Sequence, residues 1–185
     1  MSVLPIYTDG SPPLRKKAQP VTVYNDEILK LVMDMFETMR KANGIGLAAN
    51  QVGILKRVIV IDISEMEGLE DVEPITLINP ELVKGEDTLI MEEGCLSVPH
   101  VRDEVERAEK IKVRYKDASF NDVTIDADGI LARVILHEVD HLDGILFIDH
   151  LPPARRKLHE EELKKIRSGE LEVDYPVITA ADVHS

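Results

Sequence analysis

Residues 131–144, LARVILHEVDHLDG, carry the side chains best suited to chemistry: His137, Glu138 and His141 in the order HExxH. On an α-helix the four-residue spacing puts both imidazoles on one face, able to close on a single metal ion, with Glu138 beside them to handle a proton. The pattern is short enough to arise by chance, so its surroundings carry the weight. Ile130, Leu131, Val134, Ile135, Leu136, Val139 and Leu142 make the helix apolar almost all round, as expected of a core helix. Two histidines and a glutamate on such a helix need buried partners, and a metal ion supplies one. Asp126 or Asp128 is expected to cap the helix start, and Gly144 to end it.

Two histidines leave a catalytic metal one ligand short, because such sites usually take three protein ligands and keep one position for water. The extension HExxHxxGxxH places Gly144 correctly but puts Phe147, which cannot bind metal, at its last position. Two candidates remain. Glu161, twenty residues past His141, would suit a gluzincin-like metallopeptidase, although the run Glu160, Glu161, Glu162 also reads as a solvated helix face. Cys95, following a predicted strand, would as a thiolate complete a Cys-His-His set with one open position. It is the only cysteine, so no internal disulfide can form, and its default reading is a small buried hydrophobe. A purely structural metal would need a fourth protein ligand, and none is evident.

The elements that must position these groups fit one domain of 185 residues, with residues 1–150 as the catalytic body and residues 151–185 as its C-terminal helix and tail. Four prolines keep the first twenty residues irregular, with a helical turn at Leu14 to Lys16. Ile28, Leu31, Val32, Met35, Phe36 and Met39 recur at helical spacing behind an Asn25 cap, a stripe suited to core packing. GIGLAANQVG, residues 44–53, follows. Gly44, Gly46, Ala48 and Ala49 let a backbone or an extended ligand approach, and Gln51 offers an amide donor to a carbonyl oxygen.

Strands are expected at 57–63, at 75–83 with an interruption at Asn79-Pro80, and at 88–91, before an irregular 92–99 that holds Cys95. Residues 107–115 and 120–125 alternate as a hairpin across 116–119. Residues 153–169 predict a charged, solvent-facing helix, and little order is expected after Gly169 beyond docking of Tyr175, Val177 and Ile178. A net charge of −13 argues against nucleic-acid reading. No segment has signal-peptide character or the length to cross a bilayer, so no membrane partner and a cytoplasmic place of action are expected.

Three stretches together resemble one family. GIGLAANQ at 44–51, EGCLS at 93–97 and HEVDHLDG at 137–144 are similar, in order and spacing, to the three motifs of the bacterial-type peptide deformylases, and the similarity runs from about Pro12 to His150. The resemblance implies an α+β fold with antiparallel β-sheets surrounding the central HExxH helix and a C-terminal helix. It implies removal of the formyl group from N-formylmethionyl nascent peptides, with release of formate. It also implies one divalent metal ion, natively Fe(II), with Zn, Ni or Co as substitutes.

By motif position Cys95, His137 and His141 carry over as ligands, Glu138 as the acid/base, and Gln51 with the Leu96 N–H as oxyanion donors. Ile45, Gly46, Met91, Ile130 and Val134 fall around the methionine side chain, and Arg102 where it could meet the peptide backbone or form a surface salt bridge. One position departs: Leu136 stands where the family usually has glutamine, which predicts altered hydrogen bonding behind the ligands. Contact with the ribosome through the basic residues flanking Glu160 to Glu162 is a further expectation. His100, His150, His159 and His184 match no ligand position.

Overall fold

A computed structural model describes residues 1–183. The chain opens with a short strand β1 (Ile6–Tyr7) and a 3-10 turn at Pro12–Arg15, then enters helix α1 (Asp26–Lys41). The Asn25 side chain accepts from Ile28 N at 3.2 Å, a cap worth about 1 kcal/mol. The methionine stripe is core as expected, with Met35 and Met39 fully buried.

Strand β2 (Gly46–Ala48) leads through a 3-10 turn at Ala49–Val52 to β3 (Val58–Ile61) and β4 (Ile75–Glu86). A hairpin of β5 (Leu89–Cys95) and β6 (Val98–Arg107) follows, then a second of β7 (Lys110–Lys116) and β8 (Asp122–Asp128). Five strands form one antiparallel sheet in the order β2-β3-β4-β7-β8. The unbroken VIVI run of β3 is explained by burial on both faces. Val58 and Val60 pack with α1, while Ile59 and Ile61 pack with the HExxH helix α2 (Gly129–Leu142). The fold is α+β, with α2 held between this sheet and the β5-β6 hairpin.

Several expectations change. β4 carries the expected interruption at Asn79-Pro80 as a break in register between Ile78 and Glu81, and runs on to Glu86, past the expected end at Val83. Asn79, at φ 52°, turns its amide outward to bond both Val21 N (2.8 Å) and Val21 O (2.9 Å), replacing the ladder contacts that the irregularity removes. β5 continues to Cys95, so most of the stretch expected to be irregular is paired strand. The missed strand is β6, and the strand expected from residue 107 begins at Lys110 instead. Asp128 is the N-cap residue of α2 but makes no side-chain cap bond, and Asp126 lies within β8. Gly144 does turn the chain after α2, at φ 76°. A Cβ there would stand 2.8 Å from the Arg15 carbonyl oxygen, so only glycine lets the N-terminal turn lie against this corner.

The C-terminal part is more embedded than its charge suggests. The expected single helix is two, α3 (Pro153–Leu158) and α4 (Glu160–Ser168), parted at His159. It is not simply solvent-facing: Leu163 and Ile166 are fully buried against Val98, Val101, Val105 and Phe147. Beyond Gly169 the described residues include regular structure that was not expected. β9 (Val177–Ile178) pairs in parallel with β1, and a short α5 (Ala180–Val183) follows. No helix among the described residues is long and apolar enough to cross a membrane.

Candidate metal centre and substrate cleft

Cys95 ends β5, and His137 and His141 stand one turn apart on α2. One ligand atom from each lies within 4.8 Å of the others, and Cys95 Sγ is 3.2 Å from His141 Nε2. His137 gives its Nδ1 to Glu93 Oε2 at 2.9 Å, which leaves Nε2 as its ligand atom. Burial opposes a charge on His137, but the Cys95 sulfur and Glu93 outweigh it and raise its pKa; burial, then the charge of His137, lowers that of His141. Each ring must be neutral at the nitrogen that would bind a metal. One thiolate and two imidazoles with converging lone pairs fit a divalent transition metal.

Glu138 is 4% exposed, and its Oε2 has no hydrogen-bond partner among the described residues. Burial is the main reason its pKa is pushed up to about 7. Gly46 is needed here, because a Cβ at that position would come within 2.6 Å of Glu138 Oε1 and 2.8 Å of Val134 Cγ1. Gln51 is oriented by its own loop: Oε1 accepts from Ala48 N at 2.9 Å, which turns Nε2 toward Ser97 Oγ (3.1 Å) and Cys95 Sγ (3.6 Å). Leu96 carries its N–H in the two-residue turn between β5 and β6.

These groups open onto a cleft of about 1040 Å³. Ile45, Gly46, Met91, Ile130 and Val134 all line it, and so do Gln51, Leu96 and Glu138. Arg102 stands at its rim and also makes the surface salt bridge, 2.7 Å to Glu92. Glu161 is not brought to the site. It is exposed on α4 and pairs with Lys164 at 3.4 Å, so the gluzincin expectation fails on position. Leu136 packs into the cluster between α2 and the sheet, and His137 finds its outer hydrogen bond on Glu93 regardless. His100 contacts Glu172 O, His150 contacts Asp140 and His159 contacts Asp103, all away from the three ligand atoms; His184 lies outside the described residues.

Sequence reasoning assigned nothing to Glu93, Arg107, Arg133 and Asp140, which back the ligands as a buried ionic network. Glu93 accepts from Arg107 at 2.5 and 3.1 Å and from Arg133 at 2.9 Å, and Arg107 continues to Asp140 at 2.7 Å. Burial disfavours the Glu93 charge, but the hydrogen bonds from His137 and Arg107 prevail and hold its carboxyl well below the usual range. The available signal was an arginine, Arg133, within the otherwise apolar first two turns of the helix, residues 129–136.

An HExxH helix with a third donor from an adjacent strand end is the arrangement of a metal-dependent hydrolase. The sequence profile of the polypeptide deformylase family matches residues 3–157. The peptide deformylase of Salinibacter ruber is 45% identical over 97% of this chain and 96% of its own length, and that of Acidobacterium capsulatum is 45% identical over 92% and 99%. Among solved structures, the peptide deformylase of Legionella pneumophila superposes with a TM-score of 0.84 at 38% identity, covering 91% of this chain and 98% of its own. That of Ehrlichia chaffeensis in complex with actinonin gives 0.83 at 38%, covering 93% and 100%. The chain belongs to the peptide deformylase family, whose members are metal-dependent enzymes.

Proposed function

We propose that this chain removes the N-formyl group from the N-terminal formylmethionine of newly synthesised proteins and releases formate, with Cys95, His137 and His141 holding one divalent cation. The observation that carries the reading is the convergence of these three donor atoms beside Glu138, inside a cleft with an apolar wall. When bound, such a cation supplies Lewis acidity, lowering the pKa of a coordinated water from 15.7 to about 7. Fe(II) as the native ion rests on the family resemblance; the donor set also suits Zn, Ni and Co.

The chain's own part is positioning and proton transfer. Glu138, with a pKa near neutrality, takes the proton of the attacking water and delivers it to the departing amine. Gln51 Nε2 and the Leu96 N–H stand where negative charge develops on the formyl oxygen, and one such donor is worth about 3 kcal/mol. Ile45, Met91, Ile130 and Val134 take the methionine side chain, Gly46 gives Glu138 its room, and Arg102 meets the peptide at the rim.

This substrate goes with a cytoplasmic place of action. Ribosome contact would fall to the basic residues of α3 and α4 that flank Glu160 to Glu162, several of which also pair within the chain: Arg155, Arg156 and Arg167 with Asp103, Asp149 and Asp9, and Lys164 and Lys165 with Glu161 and Glu162. Unchanged ribosome co-sedimentation after Lys157→Glu and Lys164→Glu removes that part. The decisive test of the whole reading is formate release from formyl-Met-Ala-Ser by protein loaded anaerobically with Fe(II), alongside Glu138→Ala. Release that disappears in the variant supports the reading; no release from the loaded wild type rejects it.

A further inference from the structure

The segment after α4 lies beyond the stretch matched by the family profile, which ends at residue 157, yet it forms part of the cleft wall through residues 171–175. Strand pairing holds it there: Ile6 N donates to Pro176 O at 2.9 Å and Thr8 N to Ile178 O at 3.0 Å. Tyr175 reaches furthest inward. Its hydroxyl donates to Leu96 O at 2.8 Å, and the N–H of the same peptide unit, on Ser97, donates to Cys95 Sγ at 3.4 Å. A donor on the carbonyl of a planar, resonant amide withdraws electron density from its nitrogen and makes the N–H a better donor, the usual cooperativity of hydrogen bonds in series. Burial, with the Cys95 charge second, pushes the Tyr175 pKa up, so the phenol stays protonated and donating.

We propose that Tyr175 is a positioning residue for the thiolate ligand: acting through the Leu96–Ser97 peptide, its hydroxyl strengthens the hydrogen bond that Ser97 N–H gives to Cys95 Sγ. The inference rests on Cys95 serving as a metal ligand. A thiolate that accepts a stronger hydrogen bond donates less charge to its metal, which leaves the ion the better Lewis acid. The C-terminal strap thereby adjusts the metal centre without touching it. Asp9 N, which donates to Ser97 O at 2.8 Å, fixes the other side of the same turn, so removing the Tyr175 hydroxyl changes its electronics more than its path.

The experiment loads wild type, Tyr175→Phe and Tyr175→Ala with Co(II) and records the near-ultraviolet band in which a thiolate ligand transfers charge to cobalt. The expected result is a shift to longer wavelength in Tyr175→Phe that accounts for most of the shift in Tyr175→Ala. With it should come a two- to tenfold fall in kcat on formyl-Met-Ala-Ser at unchanged KM, roughly the worth of one hydrogen bond. A band in Tyr175→Phe that coincides with wild type, with only Tyr175→Ala shifted, overturns the inference and leaves Tyr175 as packing. A wild-type Co(II) protein with no thiolate band overturns the ligand assignment itself, and the inference with it.

Discussion

The candidate metal centre is built from two halves held by different forces. The α2 half, with His137, Glu138 and His141, is seated by apolar packing, with Ala132, Ile135 and Leu142 buried against Ile59, Leu77 and Val113 of the sheet, and meets the ionic network only along the face that carries Arg133, His137 and Asp140. The β5 half, with Cys95 and Leu96, is fixed by charge and hydrogen bonds, through Glu93, Arg107, Arg133, Gln51 and Ser97. Packing is tolerant of small shifts and forgiving of sequence, whereas a buried ionic network holds geometry only while every member has its partner. One half therefore contributes mainly stability, and the other ties stability to ligand geometry.

The largest expected effect touches chemistry alone. Glu138→Gln should lower kcat for formate release by roughly 10²- to 10⁴-fold while the melting temperature holds or rises, since a buried, unpartnered carboxylate is removed. Next comes Glu93→Ala, which takes from the buried Arg107 and Arg133 the carboxylate they share and leaves Arg107 with Asp140 alone. It should cost about 3–5 kcal/mol in urea unfolding and weaken metal retention against a chelator by roughly 10- to 100-fold. Ile135→Ala should also cost about 2–5 kcal/mol, but the folded fraction should keep wild-type metal affinity. Equal loss of affinity in both variants would erase the distinction between the halves.

A smaller effect tests the tether from β6 to the C-terminal helices. The hydrogen bond from Arg155 is the largest influence on Asp103; burial opposes it, His159 assists, and the carboxyl is lowered to about 2. A depressed carboxyl pKa adds stability above its unfolded value of about 3.9 and loses it as pH falls through the folded value. Melting curves of wild type and Asp103→Asn should thus differ most near neutrality and converge between about pH 4 and pH 2. Smallest of all, Leu136→Gln should change metal retention by no more than about twofold and stability by about 1 kcal/mol, because position 136 faces the sheet and His137 is already bonded to Glu93.

The difference between the halves also decided what could be read from the sequence. The α2 half was legible because apolar packing leaves a periodic trace, and α1 and β3 were legible for the same reason. β6 was not. Two of its inward positions are Asp103 and Arg107, 3% and 8% exposed, so the alternation of a half-buried strand is masked by residues that usually face water. Glu93 was hidden likewise, beside the exposed Glu92. The order of the strap after Gly169 comes from pairing with β1, far away in sequence, which no local pattern reports. The three motifs located the site without this knowledge, whereas the network that holds Cys95 in place needed coordinates.

The parallel pairing of β1 with β9 has a consequence for how the enzyme comes into being. β9 follows its partner β1 by about 170 residues. At about 5–20 residues per second, β1 must wait roughly ten to thirty seconds for β9 during translation. Sheet, helix and ligand set can assemble in the meantime, but Tyr175 reaches Leu96 only when that last pairing closes. Completion of the site is thereby coupled to the synthesis of β9.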